Sequence, residues 1–331
     1  MMKTRRGIAI LVVLFLTTLA GATPLDDYIA KPDASYTYSV VQTIDNPLGK
    51  VYIIDLKSQT WRTEKEVNRT LWQHWLTIIV PNGVTADTAL LFIDGGGNGG
   101  KPPSGPSGML IQIALQSKTV VADLKMVPNQ PLVFADDPGR QRNEDEIIAY
   151  TFDKFLKTQD PTWPLLLPMA KSAVRAMDTI QDHIAKVGGG KLKINSFVVS
   201  GGSKRGWTTW LTGAVDKRVK AIAPIVIDVL NMGPQMQHHF AAYGFYSPAI
   251  GDYEQMKVLN RMDADVDSPK LAELTEGYTG SDLRLVVREA VLNALLQDRK
   301  HIDQKDLLRA VEQFEQRMSD HRQNYNAPAE Q

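Results

Sequence analysis

The 331-residue chain sets 37 basic residues against 37 acidic ones, so a formal charge of zero gives no electrostatic case for nucleic acid or an anionic membrane. A hydrophobic fraction of 43% can build a core and excludes a wholly disordered chain, and the length suits about two domains. With no cysteine there is no disulfide framework, no thiolate metal site and no cysteine nucleophile.

The chain opens with Lys3, Arg5 and Arg6, followed over 7–21 by an apolar run and then Ala20-Gly21-Ala22. A positive head, a short apolar stretch and a small-x-small site predict a secretory signal peptide over 1–22, cleaved to leave Thr23. The alternative is an uncleaved anchor, but the run is short for a bilayer span of about 20 residues. Export to the periplasm or beyond is therefore expected, with no membrane contact after cleavage.

The next segments, 36–44 and 50–56, alternate apolar and polar residues around Asn46-Pro47-Leu48-Gly49, which predicts an antiparallel hairpin. Short apolar strands are expected over 76–81 and 89–94, a helix over 109–117 and a strand over 119–127. Helices follow over 144–157 and 165–187, the second stopped by Gly188-Gly189-Gly190. A strand over 194–200, a helix over 204–214 and a strand over 219–229 complete the body. This alternation predicts an α/β fold with a mostly parallel sheet. Pro224 is awkward in a central strand and suggests an edge or a bulge.

The segment Phe197-Val198-Val199-Ser200-Gly201-Gly202-Ser203-Lys204-Arg205-Gly206-Trp207 carries the chemistry. A strand ends in glycines, a serine sits on the turn and a helix begins at once, as in a nucleophile elbow. The small residues allow a strained turn that lifts the Ser203 hydroxyl above the sheet. The helix start offers N–H groups, that of Lys204 first, to a developing oxyanion. The match to G-x-S-x-G is imperfect, because Arg205 stands where the second glycine belongs. A glycine-rich turn with a merely capping serine is the competing reading.

A second glycine loop, Asp94-Gly95-Gly96-Gly97-Asn98-Gly99-Gly100, closes an earlier strand, where an α/β-hydrolase places its other oxyanion donor; Gly96 and Gly97 are the candidates. The same stretch nearly spells a phosphate loop, but Pro102 and Pro103 follow Lys101 where a hydroxyl and a helix start are needed. No nucleotide or other cofactor is expected. The six histidines show no metal-ligand spacing, so no metal is expected either. His74, between Trp72 and Trp75, reads as a packed strand histidine.

Several of these motifs together resemble the PhoPQ-activated pathogenicity-related family. They are Ser58-Gln59-Thr60-Trp61-Arg62, Trp72-Gln73-His74-Trp75, the glycine loop through Pro103, Gly202 to Trp210, Ala223 to Met232 and His238-His239-Phe240. The resemblance runs from about residue 26 to about residue 260. It implies an exported, α/β-hydrolase-like bacterial protein, associated by name with virulence, with Ser203 at the nucleophile position. It supplies no substrate. A hydrolase triad runs in chain order Ser, acid, His. Only one strand is readable after the elbow, so the sheet is expected to be truncated there. Asp228, at the expected end of that strand, and His238 or His239 are the available partners. A turn aspartate and surface histidines are the alternative reading of all three.

From 263 the chain changes character: a polar break over 263–269 precedes an acidic, helical tail to 331, giving an expected hydrolase-like domain over 23–262. Leu271 to Leu283, with its Gly-Tyr-Thr-Gly-Ser-Asp core, and His301 to Val311 resemble the helical lid of AAA-type ATPases. Leu283, Val286, Val287, Ala290, Val291, Ala294 and Leu295 recur at helical spacing. Without a phosphate-loop domain the tail reads as a helical packing or interaction module.

Three functions compete. The first is a serine hydrolase, with impaired catalysis, acting through Ser203 on an unidentified ester or amide of a small molecule or peptide. The second is a non-catalytic protein that binds a ligand or partner, and the third an ATPase-related regulator that uses the tail. The apolar strand after the elbow, with no evident neighbour, predicts self-association.

Overall fold

The computed structural model describes residues 23–229, 232–259, 286, 290 and 304–325. The expected signal peptide, the 262/263 boundary and most of the lid-like segment lie outside these residues. The chain divides into two compact units.

The first unit comprises residues up to Thr63, Arg69–Asn129 and Leu166–Ile225. Its strands are β1 (Thr37–Asn46), β2 (Gly49–Thr60), β3 (Leu71–Pro81), β4 (Thr88–Ile93), β5 (Val121–Leu124), β6 (Ser196–Gly202) and β7 (Val219–Ile225). They form one sheet in the order β1-β2-β3-β5-β4-β6-β7. β1, β2, β3 and β5 pair antiparallel, whereas β5, β4, β6 and β7 are parallel. This is the expected α/β class, with antiparallel strands gathered on one side. The helices of the unit are α1 (Pro24–Ala30), α2 (Gly108–Ser117), α4 (Leu166–Val187) and α5 (Lys204–Val215).

Strand alternation places Val51, Ile79 and Val121 on one sheet face, where they pack with Leu110 and Ala114 of α2. The intervening residues Ile54, Leu56, Ile78, Ala122 and Leu91 point the other way and are equally buried. Both faces are thus covered, which is why these strands read as near-continuous apolar runs. Within this core, Gln59 donates to Pro168 O (2.7 Å), and His74 sits between Ser58 Oγ (2.9 Å) and Lys125 O (3.2 Å). Burial holds the His74 imidazole down at about 4, so it is neutral. Nδ1 donates to the carbonyl and Nε2 accepts from the Ser58 hydroxyl. His74 is a packed strand histidine, as its setting between two tryptophans suggests.

β7 departs from expectation in length. It ends at Ile225 rather than near 229, because Val226 takes a left-handed φ of 49° and turns the chain away. It is also less buried than its composition suggests: Ile225 is 45% exposed, since β7 is the last strand of the sheet among the described residues. Pro224 fits this place. The Ile225 carbonyl accepts from Ser203 N on the β6 side (2.9 Å), so the missing N–H of its neighbour Pro224 falls on the outer edge.

The second unit comprises Glu64–Asn68, Gln130–Leu165 and residues from Val226 onward. Its helices are α3 (Glu144–Thr158), α6 (Met232–Tyr243), the short α7 (Gly251–Gln255) and α8 (Gln304–Tyr325). Gln130 opens α3 in place of a capping side chain from Asn143, accepting from Glu144 N (2.8 Å). Phe134, Tyr150 and Trp163 form an aromatic cluster, with the Arg142 guanidinium 4.3 Å from the Tyr150 ring centre. Tyr253 of α7 donates to Asp145 of α3 (3.0 Å). In the tail, Val286 and Ala290 pack with Leu307, Ala310, Val311 and Phe314 of α8.

Candidate active site

Ser203 stands between β6 and α5 with φ 53° and ψ −124°, a backbone conformation that costs a non-glycine residue about 1–3 kcal/mol. It occupies the N-cap position, yet its hydroxyl makes no capping hydrogen bond. A serine present only to cap would hold an extended backbone and accept from the helix N–H groups. The strain instead turns the side chain away from that role. Ser203 is half-buried, and its backbone is fixed on both sides: its N–H donates to Ile225 O, and its carbonyl accepts from Trp207 N (3.0 Å).

Gly201 makes this turn possible. A Cβ built there would lie 2.8 Å from Arg205 O and 2.9 Å from Arg205 Cβ, closer than any side chain tolerates. Strand and helix therefore touch across Gly201, while Gly202 has open space around it. The same contact explains how Arg205 is accommodated where the motif wants glycine. Two of the three closest atoms belong to the backbone of residue 205, so Gly201 is required whatever residue stands there, and with Gly201 in place the Arg205 Cβ is tolerated.

The glycine loop lies one strand away. Ile93 pairs with Gly201, so the ends of β4 and β6 are adjacent and Asp94-Gly95 runs beside Gly202-Ser203. Asp94 N donates to Leu124 O (2.8 Å), Met126 N to Gly95 O (2.9 Å) and Val127 N to Asp94 O (3.1 Å). Gly96 takes φ 132°, which a side chain would resist, and its Cβ position is 3.3 Å from Met126 Cγ. The Trp75 indole donates to Gly100 O (2.9 Å) and anchors the far end. Gly96 and Gly97 are exposed, whereas Lys204, the first residue of α5, is buried. Ser203, Lys204, Gly96 and Gly97 thus share one unit and one end of the sheet.

Beneath the loop is a charge cluster that sequence reasoning missed. Lys125 Nζ donates to Asp94 Oδ2 (2.7 Å) and lies 3.3 Å from Asp123 Oδ2. Burial raises the Asp123 carboxyl to about 6 despite the neighbouring ammonium, with Asp94 adding repulsion. Its other oxygen is buried with no hydrogen-bond partner among the described residues. Burial pulls the Lys125 ammonium down, but its two carboxylate neighbours outweigh this and hold it above its ordinary value. The signal was available: an acid in Val120-Val121-Ala122-Asp123-Leu124, an otherwise apolar strand, needs a reason.

The proposed acid and histidines lie in the second unit. Asp228 is exposed and falls beyond the end of β7 rather than on it, since that strand stops at Ile225. His238 is exposed on α6. His239 accepts from Ser247 N at Nε2 (3.1 Å) and stacks on Tyr246, so that nitrogen's lone pair is already used. Among the described residues no cluster of three or more His, Asp or Glu side chains could hold a metal ion.

With this geometry in view, the comparisons with known proteins are specific. A profile for the PhoPQ-activated pathogenicity-related protein matches residues 25–302. The chain belongs to that family. It is 42% identical over 269 residues to autocrine proliferation repressor protein A of Dictyostelium discoideum, covering 80% of this chain and 53% of that protein. The chain therefore spans about half the length of this curated relative. A shorter stretch is 38% identical over 65 residues to a proteasome-activating nucleotidase of Methanopyrus kandleri, 19% of this chain and 15% of that one. Among solved structures, a glucuronoyl esterase from Solibacter usitatus is 14% identical at TM-score 0.40, covering 70% of this chain and 65% of that one. An acetyl xylan esterase from Paenibacillus sp. R4 is 12% identical at TM-score 0.38, covering 70% and 68%. At those scores neither structure bears on the chemistry, which rests on the elbow itself.

Proposed function

We propose that this family member is an exported serine-hydrolase-type protein in which Ser203 is the nucleophile. The N–H groups of Lys204 and of Gly96 or Gly97 would form the oxyanion site. The observation that carries this reading is the strained, uncapped backbone of Ser203 at the strand-to-helix turn. A cost of about 1–3 kcal/mol at one residue is retained where it positions a reactive group. In the proposed step Ser203 Oγ bonds to the carbonyl carbon of an ester or amide and passes its proton to a base. The scissile bond then breaks, the leaving alcohol or amine takes that proton, and water hydrolyses the acyl-serine.

Neither histidine of the first unit is placed to serve as the base. His74 is locked in the core three strand spacings from β6, about 14 Å away. His183 packs edge-on to Tyr52 of β2 at 4.4 Å, four spacings or about 19 Å from β6. This, with the engaged Nε2 of His239, favours the second reading: a hydrolase-like chain that binds a ligand with little turnover. The two are separated by a fluorophosphonate probe and ester substrates, comparing wild type with Ser203→Ala. Labelling that maps to Ser203 and vanishes in the variant supports the nucleophile. Ester turnover alongside it selects the hydrolase, and labelling without turnover selects the binding protein. Labelling that persists in Ser203→Ala, or none in wild type, removes Ser203 from the chemistry.

A further inference from the structure

The residue that breaks the elbow motif makes contacts that a glycine could not. Arg205 follows Ser203 by two positions on the first turn of α5. Its Nε donates to Val127 O at 2.6 Å, reaching the segment that follows β5. Its guanidinium lies against the glycine loop with Nη2 nearest: a Cβ on Gly95 would be 2.8 Å from Nη2 and 3.2 Å from Cζ. Val127 in turn donates to Asp94 O, and Met126 to Gly95 O. One side chain thus spans the helix that carries Ser203, the loop that carries Gly96 and Gly97, and the strand end that holds this loop.

We infer that Arg205 is a positioning residue that sets the glycine loop against Ser203, and that Gly95 lacks a side chain in order to admit its guanidinium. This inference rests on the proposed role of Ser203 and deepens it. An oxyanion site works only if its two N–H donors, one from each element, keep a fixed separation. Here those elements are joined by a planar group that donates from Nε while its Nη2 side covers Gly95. A lysine offers a single point donor without that plane and cannot do both. A loop displaced by about 1 Å costs on the order of a hundredfold in a positioned reaction.

The test is a double-mutant cycle on the full chain: Arg205→Ala, Gly95→Ala, the pair, and Arg205→Lys. Two quantities are read, the labelling of Ser203 by a fluorophosphonate, split into probe affinity and maximal rate, and hydrogen exchange over 94–100. Arg205→Ala and Gly95→Ala should each lower the maximal rate about ten- to a hundredfold, leave probe affinity within about twofold and speed exchange of the loop. Adding Gly95→Ala to Arg205→Ala should then cost little more, because the new methyl has nothing left to displace. Arg205→Lys should recover only part of the rate. Additive losses, or loop exchange unchanged in Arg205→Ala, would overturn the assignment. If wild type is not labelled at all, the reading of Ser203 fails, and hydrogen exchange still decides whether Arg205 holds the loop.

Discussion

Two buried titratable groups in the same sheet pull the stability of the first unit in opposite directions, and removing one should expose the other. Asp123 is raised from an ordinary 3.8 to about 6, and His74 is lowered from 6.5 to about 4, each chiefly by burial. For Asp123 the folded chain holds a proton between these values that the unfolded chain has released. Its cost is absent below 3.8, grows as pH rises and reaches about 3 kcal/mol above 6, at 1.36 kcal/mol per pH unit. For His74 the unfolded chain takes the proton first. Stability is complete above 6.5 and falls by about 3 kcal/mol on acidification to 4. The two nearly cancel between pH 4 and pH 6.5. Replacing Asp123 with Asn removes one side of this balance. The stability difference between Asp123→Asn and wild type should therefore shift in favour of the variant by about 2 kcal/mol between pH 4.5 and pH 7. Urea unfolding at pH 4.5, 5.5 and 7, followed by tryptophan fluorescence, measures it, and differences between the two chains cancel the other carboxylates. A difference that does not change with pH would show that Asp123 titrates normally and that its burial is not felt.

Gly201→Ala should abolish Ser203 labelling and destabilise the chain by about 2–4 kcal/mol, because its methyl would meet Arg205 O at 2.8 Å; a fully labelled, equally stable variant would refute the close strand–helix contact. Exported protein should begin at Thr23, and cleavage there suits the structure, since the new ammonium would meet the Asp26 carboxylate that now accepts from Thr23 N at 2.8 Å. N-terminal sequencing that returns Met1 would sink that expectation. Self-association through the outer edge of β7 should make sedimentation concentration-dependent, and Ile225→Lys, which charges a 45% exposed edge position, should suppress it. A monomer at all concentrations would mean that this edge is protected.

The central strands were legible because they are apolar, largely buried and run into glycines at their C-terminal ends: the predicted segments 89–94 and 194–200 correspond to β4 and β6 within two residues at each end. Composition alone does not reveal burial at β7. An edge strand can be as apolar as a central one, and the sequence marks the difference only through Pro224. The end of β7 was overrun for a related reason. Val226, Ile227 and Val229 continue the apolar run, and nothing local announces the left-handed φ at Val226.

The site was legible in its backbone and illegible in its side chains, and the elbow shows why. Gly201, Gly202 and Ser203 are read from neighbours in sequence, since a tight turn is a local demand. Arg205 reads as a defect in the same motif, because the glycine it replaces is usually explained by crowding at the turn. The structure shows the crowding at Gly201, the first glycine of the motif, and with no Cβ there the Arg205 side chain is accommodated. What it reaches, Val127 O, lies 78 positions earlier in the chain, at the end of a different strand. No spacing rule connects the two residues. Only the sheet order, which places β4 between β5 and β6, brings the strand ends within the length of one arginine. A departure from a local motif is therefore informative when it substitutes a long polar side chain, since it marks where tertiary contacts have replaced the steric reason for the motif.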